Sequence, residues 1–317
     1  MKKIILLPII LGSVILIGGA VVFAVGVSRS LKNNDHVTNT YDITDDFTKF
    51  NINLSTADLS FEATTDGSKK VVCEESSKQY HDVKVENGAL TIQYHNELKW
   101  YERLFNWDFY KRKVTVYLPA EEYGELKIDS STGDITVPAG YTFSETNIEL
   151  STGDVSIKSN VTNLAKIKTS TGDISLSDMS TKNIDLKVST GKVNLTNVNV
   201  TEDVKIKAST GSTKTNNVAA RNFDVDASTG NVTFTNSVMS GKITVTVSTG
   251  NVKFEDSDAA SLDIKTSTGD VTGTLLTAKI FDARSDTGSV KVPPATEWSG
   301  GLCQIKTDTG RINISVK

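Results

Sequence analysis

Ten glycines recur through the C-terminal part of the chain at nearly constant intervals. They are Gly133, Gly153, Gly172, Gly191, Gly211, Gly230, Gly250, Gly269, Gly288 and Gly310, spaced by 20, 19, 19, 20, 19, 20, 19, 19 and 22 residues. Eight stand in Ser-Thr-Gly and the last two in Asp-Thr-Gly, Asp286 to Gly288 and Asp308 to Gly310. A period of this length marks a repeat architecture, in which a short unit cannot bury its apolar face alone and must stack on its neighbours.

The residues around each glycine follow one rule. Positions seven and five before it, and two and four after it, are mostly aliphatic or aromatic, as in Ile184, Leu186, Val193 and Leu195 around Gly191. Alternation of period two on each side predicts two short half-buried strands. The change of parity across the glycine predicts a sharp turn that keeps both apolar sets on one side, and glycine permits the positive φ such a corner needs.

Two arrangements satisfy this pattern: a meander of hairpins, in which Val188 faces Val193, or a solenoid in which each repeat lies on the one before. Outward residues separate them, because stacked coils bring equivalent positions within about 4.8 Å and charges in one column must tolerate each other. Six residues before the glycine the column runs Lys166, Asp185, Lys205, Asp224, alternating in sign. Its neighbour, Lys168, Lys187, Lys207, Asp226, is less regular. The expectation is an all-β parallel solenoid of about ten coils, each 19–20 residues, forming a rod about 45 to 50 Å long with hydroxyl ladders at the Ser-Thr corners.

The N-terminus reads differently. Residues 4–27 form an apolar run interrupted by Pro8, Ser13 and small glycines, preceded by Lys2 and Lys3 and followed by Arg29 and Lys32. This length spans a bilayer core and exceeds a signal-peptide apolar region, so one uncleaved transmembrane helix is expected. The flanking charges are nearly balanced; the orientation favoured puts the N-terminus inside and the bulk of the chain outside the plasma membrane, in a single pass. The expected organisation is an anchor at 1–30, a linker at 31–40, a β cap at 41–125 carrying an insertion at 94–113, and the solenoid at 126–317.

Within the cap, Tyr94, Trp100, Tyr101, Phe105, Trp107, Phe109 and Tyr110 gather seven of the chain's 22 aromatics, and Lys111, Arg112 and Lys113 follow directly. Two readings stand: the rings plug the open core at the end of the solenoid, or they form a contact surface for lipid headgroups or a partner protein. Ser55-Thr56-Ala57-Asp58 resembles a decayed corner.

Little else points to chemistry. His36, His81 and His95 all precede the repeats in no metal or nucleophile spacing, and read as surface or cap residues. Cys73 and Cys303 lie too far apart along an elongated body to pair and read as buried thiols; Cys303 occupies the apolar position equivalent to Ile184. Asp134, Asp154 and Asp173 follow their glycines and form a weak calcium candidate, but the slot holds Lys192, Ser212 and Asn231 in the next coils, and Asp is ordinary in a turn. Basic and acidic residues number 34 and 38 and are interleaved along the chain, which removes the electrostatic footprint of a nucleic-acid binder. No columns of carboxylates suggest a polysaccharide-cleaving site, so no catalytic residue, metal or cofactor is expected.

An N-terminal membrane segment followed by Ser-Thr-Gly-Asp-[Val/Ile] units resembles a bacterial family of unknown function described as β-strand-repeat or "putative adhesin" proteins. The resemblance covers about residues 45–317 and implies a cell-envelope protein, in some members associated with envelope-stress operons. It supplies no catalytic residue, and the aromatic insertion departs from its pattern. The function expected is a non-enzymatic, adhesin-like scaffold or binding module that meets cell-wall polymer or another envelope protein. The alternatives are regulation of a membrane envelope-stress sensor and, more remotely, a carbohydrate-active enzyme.

Overall fold

The computed structural model of the protein describes residues 36–101, 112–295 and 300–317. Among these, no helix is long and apolar enough to cross a membrane; residues 4–27, the expected anchor, lie outside the described residues, as do Phe105, Trp107, Phe109, Tyr110 and Lys111.

The repeats fold as an all-β parallel solenoid of about nine turns. Val188 lies between Thr169 and Ala208 of the neighbouring coils, and Val193 between Ile174 and Thr213, so the meander is excluded. The predicted column stacks in register, Lys166 beside Asp185, Asp185 beside Lys205 and Lys205 beside Asp224.

Each coil has three sides where the sequence pattern predicts two strands and a loop. In one coil the buried positions are Val193 and Leu195, then Val198 and Val200, then Val204, Ile206 and Ala208. Parity changes between the first two sets, so the chain turns near Asn197, and the strand breaks at Thr201 and Glu202, where it turns again before the glycine. The second corner is built by Asp178, Asn197, Asn217, Asn236 and Asp256, with φ of 54°, 54°, 55°, 47° and 47°. Asn and Asp enter this left-handed region more readily than other non-glycine residues. The third corner absorbs the difference between 19- and 20-residue repeats: Met239 to Lys242 spans one residue more than its partners Ala259 to Ser261.

Two bonding patterns fasten the glycine corners. The Gly172 N–H donates to Thr190 O and the Gly191 N–H to Thr210 O, each at 2.9 Å, so the main chain carries a ladder from coil to coil. The coils also approach closely: a Cβ on Gly191, where φ is +150°, would stand 2.0 Å from the carbonyl oxygen of Gly172.

The order of the last coils departs from the sequence. Ile280–Thr287 pairs with Leu302–Thr309, and Leu302–Thr309 pairs with Val252–Thr268. The corners therefore stack as Gly269, Gly310, Gly288. The chain skips a level after Leu275 and returns to fill it, using the longest interval between corners, 22 residues. At the skip, Lys279 and Asp258 are buried and paired at 2.9 Å. The two Asp-Thr-Gly corners are the adjacent ones at this end. Their aspartates pair along their own strands, Arg284 with Asp286 and Lys306 with Asp308, each at 3.3 Å. This offsets a column in which Lys265, Lys306 and Arg284 are neighbours.

The other end is capped. Strands β1 (His36–Asp42), β2 (Lys49–Thr64), β3 (Lys70–Ser76), β4 (Gln79–Glu86), β5 (Ala89–Asn96), β6 (Arg112–Pro119) and β7 (Glu122–Thr132) build it. β2 already belongs to the solenoid, for it pairs in parallel with β7 and places Ser55-Thr56-Ala57 beneath the Gly133 corner. β5 and β6 continue the stack beneath β2. Beyond them β4, β3 and β1 pair antiparallel, which ends parallel stacking and covers the edge. β1 thus begins inside the stretch expected as a linker, and β7 runs across residue 125 to join the cap to the first coils.

Candidate functional site

The cap holds the exposed aromatics and a buried cluster of polar and titratable side chains. β5 pairs with β2 as far as Gln93 beside Asn53, and β6 resumes with Arg112 beside Ala57. The segment between them stands where a Ser-Thr-Gly corner would be. The described start of the aromatic insertion, up to Tyr101, thus departs from the stack at the end of the glycine column.

The described rings of this segment do not plug the core. Trp100 is 74% exposed and Tyr101 46%; they meet edge to face at 5.9 Å, with Lys99 Nζ 5.9 Å from the Tyr101 ring. The plug is made by Phe47, Phe50, Phe61, Tyr123, Tyr141 and Phe143, all buried, with Phe50 at its centre 5.2 Å from Tyr123 and 5.4 Å from Phe47. These rings come from coil positions scattered along the sequence, where no local cluster signals them.

The basic run divides as well. Arg112 was expected on a contact surface, but it is buried, donating to Thr56 Oγ1 at 2.8 Å and Gln79 Oε1 at 2.6 Å. It begins β6 at a buried position, where strand alternation turns it inward. Lys113 stands half-buried, with the acidic residues Glu74 and Asp58 as its two ladder neighbours.

Gln79 extends the buried polar set, donating from Nε2 to Tyr94 Oη at 2.9 Å. Tyr94 lies 5.6 Å from the His81 ring. His81 is 1% exposed, unlike the surface histidines His36 and His95, and its Nδ1 lies 2.9 Å from Glu75 Oε2, which also accepts the His81 main-chain N–H at 2.7 Å. Asn39 donates to Glu75 Oε1 at 2.6 Å, and Tyr41 to the His81 carbonyl at 3.0 Å. Cys73 sits on the same face of β3 as Glu75. The ligand atoms of Cys73, Glu75 and His81 all lie within 4.8 Å of one another. Burial pushes the Cys73 thiol up, with Glu75 adding to it, and pushes the Tyr41 hydroxyl up to about 12. His81 Nε2 is buried without a hydrogen-bond partner, a vacancy of a kind that costs about 1–3 kcal/mol. Sequence reasoning missed this cluster: its members lie on two strands across a turn.

The aspartates after the glycines have another task. Asp134 Oδ1 accepts the main-chain N–H of Asp154 at 3.0 Å, Asp154 that of Asp173 at 2.7 Å, and Asp173 that of Lys192 at 2.7 Å. Asn231 and Asn251 do the same further along. Each side chain supports the next coil, which accounts for Asp and Asn in this slot without a cation. Cys303 is buried in the core as expected, and its thiol is pushed up to about 12 by burial.

A shallow polar groove of about 270 Å³ runs over the first coils, lined in part by Asn53, Asp129, Glu149 and Lys168. Its two carboxylates are ladder neighbours. Glu149 is paired with Lys168 at 3.2 Å and Asp129 with Lys127 at 4.0 Å, so neither stands as an unengaged acid or base.

The profile of the family described as Toastrack DUF4097 matches residues 47–211 and 201–317. A comparison with curated proteins finds no match. Among solved structures, a "putative adhesin" of Bacteroides fragilis is similar at 14% identity and a TM-score of 0.46, over 89% of this chain and 97% of its own. A "putative adhesin" of Parabacteroides distasonis has 15% identity and a TM-score of 0.48, over 88% and 98%. A "putative lipid binding protein" of the same species has 16% and 0.44, over 88% and 98%.

Proposed function

Given that the chain belongs to the Toastrack DUF4097 family, we propose that it is a non-enzymatic, adhesin-like binding module displayed outside the plasma membrane and held there by residues 4–27. The observation that carries this reading is the exposed Trp100 and Tyr101 pair beside Lys99, set where the regular corner is interrupted. Large aromatics grouped in water at one place are characteristic of recognition surfaces, where such side chains dominate binding energy. The regular coils serve as a stiff support, since their outward columns are filled by mutual ion pairs and side-chain to main-chain bonds. The ligand class proposed is cell-wall polymer or a neighbouring envelope protein.

Co-sedimentation of the full chain, in detergent, with purified wall polymer tests this, together with crosslinking of the full chain to envelope proteins in intact cells. The reading expects wild type to be captured in one of these assays, and Trp100→Ala/Tyr101→Ala to be captured at least about tenfold more weakly, the loss typical of removing central aromatic contacts. No capture of wild type in either assay, or equal capture of the variant, contradicts it.

A further inference from the structure

We propose that Cys73, Glu75 and His81 form a binding site for a borderline-soft divalent metal ion of the zinc class inside the cap. The three are 0%, 0% and 1% exposed and bring a thiol, a carboxylate and an imidazole within 4.8 Å of one another. No other group of three His, Cys, Asp or Glu side chains among the described residues is arranged to hold a metal ion.

The backbone holds the set in place. Cys73 and Glu75, two apart on β3, share a face, and β3 is paired on both sides, with Asn39 and Val114 flanking Cys73. His81 follows on β4, fixed through its main-chain N–H to Glu75 and its carbonyl to Tyr41 Oη. The ligands therefore come from two adjoining strands with little freedom to separate.

The donor chemistry selects the ion. Sulfur and imidazole nitrogen favour zinc or cobalt over calcium or magnesium, which take oxygen sets. Glu75 Oε2 already lies 2.9 Å from His81 Nδ1, so an ion bound between them takes Nδ1 and the carboxylate as ligands and leaves the ring proton on Nε2. Binding M²⁺ releases the Cys73 thiol proton to solvent. The thiolate and the Glu75 carboxylate then balance the two positive charges around a neutral imidazole, leaving the buried cluster uncharged. Bond lengths of about 2.0–2.3 Å to zinc require the ligand atoms to close by roughly 1 Å. Three protein ligands leave a fourth position open.

The test uses the full chain in detergent, stripped with chelator and titrated with Co²⁺ and then Zn²⁺. The proposal expects one Co²⁺ per chain with a thiolate-to-cobalt charge-transfer band, displacement of that band by Zn²⁺, and a rise in melting temperature of at least about 5 °C with Zn²⁺. The chain has two cysteines, so Cys303→Ser must keep the band and Cys73→Ser must lose it. Should either variant fail to fold, the wild-type titration decides alone. No charge-transfer band, no thermal shift with Zn²⁺, or a band that survives Cys73→Ser overturns the proposal.

Discussion

The carbonyl oxygen of Gly172 lies 2.0 Å from the point a Cβ on Gly191 would occupy. The corner column thus excludes side chains on two grounds, since Gly191 also holds a φ of +150°. Gly191→Ala is expected to destabilise the solenoid by about 3 kcal/mol or more, combining backbone strain with a clash against main chain that cannot move aside. Chemical denaturation followed by far-UV circular dichroism measures it.

The aspartate after a corner acts through an oxygen that asparagine also has. Asp154→Asn should therefore leave stability within about 0.5 kcal/mol, whereas Asp154→Ala, which strands the Asp173 N–H, should cost about 1 kcal/mol. Asn231 and Asn251 already perform this task in the native chain. Calcium added to either variant should leave these midpoints unchanged.

At the second corner the backbone conformation sets the requirement. Asn217 has a φ of 55° and donates from Nδ2 to Asn197 Oδ1 at 2.9 Å. Asn217→Val is expected to cost about 2 kcal/mol, and Asn217→Gly less than half of that, because glycine loses only the side-chain bond. Thermal melts of the two variants side by side give the comparison.

The skipped level makes the Lys279–Asp258 pair a sensitive point. Lys279→Met leaves a buried carboxylate without its cation and is expected to destabilise by about 3 kcal/mol. Replacing both, as Lys279→Met/Asp258→Leu, should recover part of that loss, which a double-mutant cycle reads directly.

Arg311 ties the returning strand to the coil it joins. Its side-chain hydrogen bond to Asp270, at 2.8 Å, together with its main-chain bond, holds the Asp270 carboxyl below the usual carboxylate range. A lowered folded-state pKa gives stability that is present above the unfolded value, near 3.9, and fades as pH falls through the folded one. Arg311→Ala should therefore lower stability slightly at pH 7, and the difference from wild type should shrink as pH falls below about 4, as expected of an exposed pair. Urea midpoints across that range check the trend.

Much of the fold is legible in the sequence because the spacing of corner glycines and the sign of charges such as Lys166 and Asp185 are periodic, and periodicity survives translation into stacking. Asn197 and Asn217 were equally periodic, yet Asn is common in turns of every kind, so the second corner did not stand out. The order of Gly288 and Gly310 was not legible, since identical corners fit either stacking order and the choice rests on Lys279 and on the length of the return. At the cap, the exposure of Trp100 and Tyr101 agrees with one of the two readings of the insertion. Arg112, by contrast, is turned inward by its register on β6, which composition does not reveal. The Cys73, Glu75 and His81 cluster arises from pairing across a turn and carries no linear signature.

The coils are parallel and in register, capped at one end, and at the other they stack out of sequence order. Cysteine crosslinking in the column Lys265, Lys306, Arg284 tests this order most directly, since stacked neighbours lie about 4.8 Å apart and a disulfide spans about 4.4 to 6.8 Å between Cα atoms. Lys265→Cys/Lys306→Cys and Arg284→Cys/Lys306→Cys should each oxidise to a disulfide within the folded chain, while Lys265→Cys/Arg284→Cys should not. A disulfide in the last pair, with none in the first, would contradict the account and restore a stack that follows the sequence.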